Sequence, residues 1–199
     1  IHLDHAGATG MLVRENPAIT VYVHERGAPH LIDPAKLLKS ATRLYGDRME
    51  TLWGAFLPVP EGNVRALAGG EAIEAGGRAL AVAATPGHAS HHLAYLDVAS
   101  RIAFVGDVAG VSLPPAHVVL PPTPPPDVDL DAWEASVTKI LAWQPDALFL
   151  THFGLKANPA VHLQELLERL REWAGLAERL VAADLPEEVR RARFVRNAR

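Results

Sequence analysis

The chain opens with I-H-L-D-H-A-G at residues 1–7, where His2, Asp4 and His5 stand close together in the sequence. Imidazole and carboxylate groups are ligands that zinc, iron(II) and manganese accept. The pattern leads us to expect a further histidine just before Ile1. Side chains two apart in an extended segment point the same way, so this histidine and His2 could bind one metal. Since the chain does not begin with Met, we expect its N-terminal part and the first strands of a sheet to be missing.

Three later segments each end an apolar, strand-like run in a side chain that can bind a metal. They are T-P-G-H at 85–88, ending in His88, F-V-G-D at 104–107, ending in Asp107, and L-F-L-T-H at 148–152, ending in His152. In layered α/β folds, functional sites are built in the loops at strand ends. Each segment alone is compatible with an ordinary turn or a surface histidine. Together with the opening motif, they suit two neighbouring metal ions.

The composition limits the class of protein. A chain of 199 residues with 49% apolar and 21% charged residues is long enough for a single domain over 1–199. A net charge of -4 gives no reason to expect nucleic acid as a partner, and no apolar run is long enough to span a membrane. The absence of cysteine excludes thiolate ligands and a cysteine nucleophile, and favours the cytoplasm. We expect a small-molecule substrate and leave a homo-oligomer open.

Hydrophobic periodicity predicts alternating helices and strands, which is typical of an α/β fold. The predicted helices cover 6–14, 34–44, 130–143, 161–183 and 186–197; the predicted strands cover 19–24, 78–84, 91–96, 102–105 and 147–150. Asp33 and Asp129 are predicted to cap the second and third of these helices. Residues 45–62 are predicted to be rich in loops, and the proline-rich stretch 114–126 is predicted to be a loop along the surface.

In the order His-Asp-His, His, Asp, His, these segments resemble the metallo-β-lactamase-fold superfamily, with its HxHxDH signature, GH turn, aspartate after a strand and final histidine. The match spans residues 1–154. The resemblance implies an αββα sandwich with a dinuclear site along one edge. It implies that one metal is held by His2, His88 and the expected upstream histidine, and that the other is held by Asp4, His5 and His152. It also implies that Asp107 bridges the two metals. The chain has neither the cysteine ligand of some β-lactamases nor the glutamate of flavodiiron proteins.

The function expected from this ligand set is metal-dependent hydrolysis of an ester, thioester, lactone or phosphodiester by an activated water. Two Zn²⁺ ions are expected, with Fe or Mn as alternatives, and Asp4 is the candidate for the catalytic proton shuttle. One alternative is a mononuclear iron dioxygenase that resembles persulfide dioxygenases and uses the upstream histidine, His88 and Asp107. Another is a metal-stabilised binding protein without activity.

Other side chains are assigned by their position alone. Either His91 or His92 is a candidate for facing the site or supporting a ligand by a hydrogen bond. His24 and His30 are candidates for lining a substrate pocket, and His117 is a candidate for one wall of it. Arg48 is a candidate for pairing with an anionic substrate. Tyr95 is expected in the core, and His162 is expected on the surface of a helix.

Overall fold

The computed structural model describes residues 1–115, 118–124 and 127–198. The helices there are α1 (Leu3–Ala6), α2 (Thr9–Glu15), α3 (Ala28–Ile32), α4 (Ala35–Tyr45), α5 (Met49–Trp53), α6 (Leu130–Ala142), α7 (Pro159–Ala182) and α8 (Glu187–Asn197). The strands are β1 (Val21–His24), β2 (Val64–Leu67), β3 (Ala72–Ala75), β4 (Arg78–Ala84), β5 (Leu93–Asp97), β6 (Ile102–Gly106), β7 (Val111–Leu113), β8 (Val118–Leu120), β9 (Ala147–Leu150) and β10 (Gly154–Ala157). Short 3-10 turns occupy Gly46–Arg48, Glu61–Asn63 and Asp107–Ala109.

A six-stranded sheet in the order β10-β9-β6-β5-β4-β3 organises the molecule. Neighbouring strands are antiparallel except for β6 and β9, which are parallel. Because β4 is antiparallel to β5, and β5 to β6, the strands β4, β6 and β9 all run in the same direction. Their carboxyl ends therefore meet at one edge of the sheet, the edge at which α/β folds build their sites.

One face of this sheet is covered by α6 and α7. Period-2 alternation sends Ala103 and Val105 of β6 and Leu148 and Leu150 of β9 into this layer, where all four are fully buried. The helices contribute the following buried side chains: Trp133, Val137, Ile140, Leu163, Leu166 and Leu170. Burial of these apolar groups is the main stabilising contribution on this side of the sheet.

The opposite face carries the other half of the alternation. Phe104 and Phe149 project from it with their ring centroids 5.5 Å apart, and each is more than 40% exposed. Tyr22 of β1 lies over this face and donates a hydrogen bond to the carbonyl of Glu74. The parallel pair β1-β2 forms a second, smaller sheet. A separate apolar cluster packs around the first helices and contains the following buried residues: Leu3, Ala6, Val13, Ala28, Leu31, Ala41, Phe56, Val59 and Val64.

Most long, strongly patterned elements agree with the sequence prediction. The side chain of Asp129 caps α6 by accepting a hydrogen bond from the backbone N–H of Ala132 at 2.9 Å. At α4 the capping residue is Pro34 and not the predicted Asp33, although the side chain of Asp33 accepts a hydrogen bond from the N–H of Ala35 at 3.1 Å. The helix predicted over 6–14 is instead two helices, α1 and α2, separated at Gly7 and Ala8.

Short elements account for most of the differences from prediction. The loop-rich stretch 45–62 contains α5, and the proline-rich stretch contains β8, which pairs with β7 in a small hairpin. The sequence pattern also does not predict α3, β2, β3 and β10, each of five residues or fewer. Periodicity cannot be read over so few positions.

The single-domain organisation stays a prediction.

Within the described ranges, no helix combines the length and apolar character needed to cross a lipid bilayer.

Candidate metal centre

The carboxyl edge of the sheet brings three of the predicted ligands together. His88 follows β4 after the turn at Pro86 and Gly87, Asp107 follows β6 directly, and His152 comes two residues after β9. The three strands run in the same direction, so these residues converge although they are far apart in the sequence.

The opening motif reaches the same edge through α1. His2 has extended backbone angles, and its carbonyl accepts hydrogen bonds from the N–H groups of His5 and Ala6. This tight turn buries Leu3 in the first apolar cluster. It leaves His2, Asp4 and His5 free to face the strand ends.

The six predicted ligands form two adjacent groups of three. The inner group is His2, His88 and Asp107; the outer group is Asp4, His5 and His152. Within each group, one potential ligand atom from every residue lies within 4.8 Å of the others. The structure therefore assembles the sets of ligands that the sequence resemblance implied, while the assignment of metal to them stays a prediction.

Asp107 joins the two groups. Its Oδ2 lies 2.9 Å from His5 Nε2 and 3.3 Å from His88 Nε2, and its Oδ1 lies 3.4 Å from His152 Nε2. Oδ1 is buried and has no hydrogen-bond partner among the described residues. A buried carboxylate oxygen without a donor is costly, so this atom fits a ligand to a cation.

His88 is held in the orientation and tautomer that a ligand needs. Its Nδ1 lies 2.8 Å from the carbonyl oxygen of Pro122, which can only accept, so Nδ1 carries the proton. The lone pair of the neutral ring is then on Nε2, which faces His2 Nδ1 at 3.2 Å. A carbonyl that fixes the ring in this way is a common support for metal-binding histidines.

Burial favours neutral imidazoles in the inner group. Desolvation lowers the pKa of His88, and desolvation together with repulsion from His88 lowers the pKa of His2 to about 4. Burial alone would raise the pKa of Asp107, but the hydrogen bond from His5 and the nearby histidine charges outweigh it and lower this pKa to about 2. Neutral imidazoles beside an ionised carboxylate are the protonation states that bind a divalent metal.

Gly106 and His92 set the position of Asp107. Gly106 has φ +50°, and a Cβ built on it would lie 2.4 Å from His92 Nε2. His92 is itself fixed by a 2.8 Å hydrogen bond between its Nδ1 and the Thr85 hydroxyl, and desolvation lowers its pKa to about 3. A side chain at position 106 would push the strand end and the imidazole apart.

The 3-10 turn that carries Asp107 is held by two further side chains for which the sequence predicted no role at the site. Trp133 donates from Nε1 to the carbonyl of Val108 at 2.6 Å, and His162 Nε2 lies 2.8 Å from the carbonyl of Ala109. The prediction that His162 lies on a helix surface is wrong, because its ring is buried and this carbonyl needs a donor. Its apolar neighbours at positions 163 and 166 were the signal that this face of α7 points inward.

Gly87 lets the turn before His88 approach α6. It has φ +135°, and a Cβ there would lie 2.4 Å from the Cα of Trp133. The carbonyl of Pro86 accepts a hydrogen bond from the Ser136 hydroxyl, and the carbonyl of Gly87 accepts one from the N–H of Asp129. The turn is thus tied to the helix at several points.

The other predicted pocket residues divide into two sets. His24, His91 and His92 line a cavity of about 230 Å³ that adjoins the inner group, and so does Tyr95, which was predicted to lie in the core. His91 packs edge-on against His2 at 5.4 Å, and Tyr95 is half-buried at this cavity and not in the main core. His30 and Arg48 line neither this cavity nor the larger cleft beside the outer group. His117 lies outside the described residues.

Comparison with known proteins bears on the family and the fold of the chain. The family model of the metallo-beta-lactamase superfamily matches residues 1–152. The protein "Metallo-beta-lactamase fold-containing protein ST1585" of Sulfurisphaera tokodaii is 28% identical over 175 residues, which are 85% of this chain and 64% of that protein. The crystal structure of ST1585 superposes with a TM-score of 0.72, covering 85% of this chain and 65% of that one.

Two other solved structures share the fold. A metallo-beta-lactamase family protein from Thermus thermophilus, TTHA1429, is 22% identical with a TM-score of 0.66, covering 91% of this chain and 61% of that one. TTHA1623, described in a di-iron-bound form, is 25% identical with a TM-score of 0.55, covering 78% of this chain and 68% of that one.

The chain belongs to the metallo-beta-lactamase superfamily, and the αββα sandwich expected from the sequence is confirmed. It spans somewhat less than two thirds of the length of ST1585. Proteins of this fold bind divalent metals.

Proposed function

We propose that the protein is a hydrolase that binds two neighbouring metal ions and directs an activated water onto an ester, thioester, lactone or phosphodiester. The observation that carries this proposal is the adjacency of two three-residue groups joined by one buried carboxylate, Asp107. A single ion would need only one of these groups.

The residues fit divalent metals by their chemistry. The inner group offers two imidazoles and a carboxylate, and so does the outer group. Without thiolates, such nitrogen and oxygen sets suit zinc, with iron or manganese as alternatives. When bound, the metal pair would supply Lewis acidity and lower the pKa of water towards neutral.

The protein's own side chains would then divide the remaining work. Asp107 would fix the separation of the two groups, and the Pro122 carbonyl would keep the lone pair of His88 pointed inward. Asp4 is the most exposed of the six, with 42% of its side chain accessible, and its Oδ2 lies 3.5 Å from both His5 Nε2 and His152 Nε2. This exposure suits Asp4 to pass a proton between the reacting water and the solvent.

The mononuclear iron dioxygenase is the enzyme alternative. It would require one ion at the inner group, with the outer group idle. The compact geometry of Asp4, His5 and His152 favours a second ion.

Metal analysis and a substrate panel test the proposal. Protein reconstituted separately with Zn²⁺, Mn²⁺ or Fe²⁺ is assayed on a neutral ester, a thioester, a lactone and a phosphodiester, and for oxygen uptake with a persulfide. Hydrolysis by protein holding two ions per chain supports the proposal. Oxygen uptake with one iron per chain, or no turnover with any metal and substrate, contradicts it.

A further inference from the structure

We propose that the substrate carries an uncharged apolar group, an acyl chain on the reacting carbonyl, that lies along the cleft beside the outer group. This rests on the proposed hydrolytic function and names its substrate class. The cleft has a volume of about 470 Å³ and borders Asp4 and His152 of the outer group as well as the three residues of the inner group. Small-molecule pockets have roughly 300–1,000 Å³, so the cleft has room for more than the reacting group.

One face of α4 forms the long wall of this cleft. Leu37, Ser40, Ala41, Leu44 and Tyr45 line it, at the i, i+3, i+4, i+7 and i+8 spacing that places side chains on one side of a helix. Leu44 is 72% exposed although it is large and apolar. An exposed leucine facing a candidate catalytic centre is a ready contact for an apolar ligand.

Aromatic and proline side chains extend the apolar wall. Tyr45 and Trp53 pack edge-on with their ring centroids 5.2 Å apart, and both line the cleft. Pro122 and Pro124 line it too, so the carbonyl that orients His88 belongs to the same segment as the wall. Flat, rigid surfaces of this kind bury an alkyl chain with little loss of their own conformational freedom.

The charges around the cleft disfavour an anionic extension of the substrate. The cations of α4, namely Lys36, Lys39 and Arg43, do not line the cleft, and neither does Arg48. Among the described residues that line the cleft, the titratable side chains other than histidine are Asp4, Asp107 and Tyr45. A phosphate or carboxylate placed away from the metal ligands would therefore find no cationic side chain among these residues to pair with.

A binding experiment tests this without requiring turnover. Metal-loaded protein is titrated with 2-decanone, an uncharged ketone that resembles an ester but cannot be hydrolysed, while tryptophan fluorescence is followed. We expect saturable binding with a signal that Trp53→Phe removes. Leu44→Asp, which puts a charge on the wall at an exposed position, should weaken binding about tenfold or more. Leu12→Asp, at another exposed leucine, on α2, that does not line the cleft, should not change it.

A kinetic series tests the same inference on turnover. For p-nitrophenyl acetate, butyrate, hexanoate and octanoate, kcat/KM should rise about fourfold per added methylene, as burial of a methylene predicts. Leu44→Asp should flatten this series, while Leu12→Asp should leave it unchanged.

The outcomes separate the two proposals. Binding of 2-decanone at Trp53 without hydrolysis of any substrate supports the apolar cleft and contradicts the hydrolase. Hydrolysis with no gain along the ester series, or a preference for bis-p-nitrophenyl phosphate over the octanoate, overturns the apolar substrate while leaving the hydrolase. Equal effects of Leu44→Asp and Leu12→Asp on the binding of 2-decanone would also overturn the proposal of an apolar substrate.

Discussion

The inner and outer groups contain the same kinds of side chain but lie in different surroundings. In the inner group only 4% of the His88 side chain and 7% of Asp107 are exposed. In the outer group 33% of His152 and 42% of Asp4 are exposed. His88 and Asp107 are fixed by further contacts from the segment at Pro122 and from α6 and α7. The cleft borders all three inner residues as well as Asp4 and His152, but these two outer side chains are the more exposed to it. The difference teaches that the fold preorganises one half of the site and leaves the other half accessible to substrate.

Removing Asp107 should have the largest effect, because it is the residue that both groups share. For Asp107→Ala we expect both metal ions to be weakened and kcat/KM to fall about a thousandfold or more, which is ~4 kcal/mol of transition-state stabilisation. Metal content and steady-state rates measure this. Asp146→Ala removes a carboxylate that is 74% exposed and should change neither. A variant at 107 that kept both ions would show that Asp107 does not join the groups.

Adding a methyl group at Gly106 should damage the inner group through its support. In Gly106→Ala the Cβ meets His92 Nε2, so Asp107 must move, and metal affinity should fall about 10–100-fold, as for groups that orient ligands. Gly76→Ala is the matched control, since Gly76 has a similar φ of +58° but open space around it. It should cost only ~1 kcal/mol of stability. Equal metal loss in both variants would refute a role for the contact between Gly106 and His92.

Replacing His162 should affect stability more than chemistry. His162→Leu leaves the carbonyl of Ala109 without its donor, and the free energy of unfolding should fall by about 1–3 kcal/mol. Inner-group metal affinity should fall by less than in Gly106→Ala, with the outer group unaffected. Denaturant unfolding and metal titration measure these. His162→Gln, which keeps an N–H donor, should recover part of the loss; an undiminished stability in His162→Leu would mean that the bond contributes nothing.

Asp97 is the last residue of β5 and should contribute to stability in a way that depends on pH. The Ser100 hydroxyl and Arg78 hydrogen-bond its buried carboxylate, and these contacts outweigh burial and lower its pKa. Its contribution is therefore present above the unfolded pKa of about 3.9 and lost as pH falls through the folded value.

Asp97→Asn tests this directly. The difference in unfolding free energy between wild type and Asp97→Asn should be constant above about pH 5 and shrink below pH 4. Metal content at neutral pH should not change. A difference independent of pH down to acid would contradict the lowered pKa.

The sequence could predict the metal-ligand candidates better than the contacts that hold them in place. The ligands themselves could be named because each ends a strongly patterned strand or opens the chain. Among their supports, His92 was a candidate, but Trp133 and His162 could not be found, since their contacts with Val108 and Ala109 join residues far apart in sequence. Nor could α5 or β8 be recognised, because so few residues carry no readable periodicity. The apolar wall of the cleft depends on where α4 packs, which the pattern of α4 alone does not specify.

Metal stoichiometry with crystallographic location tests the central claim most directly. Protein loaded with zinc is analysed by mass spectrometry for metal per chain, and anomalous diffraction locates the ions. Two ions per chain, one bound by His2, His88 and Asp107 and the other by Asp4, His5 and His152, with Asp107 in contact with both, is the predicted result. A single ion at the inner group, or ions bound elsewhere while these six side chains keep their contacts with each other, would contradict it.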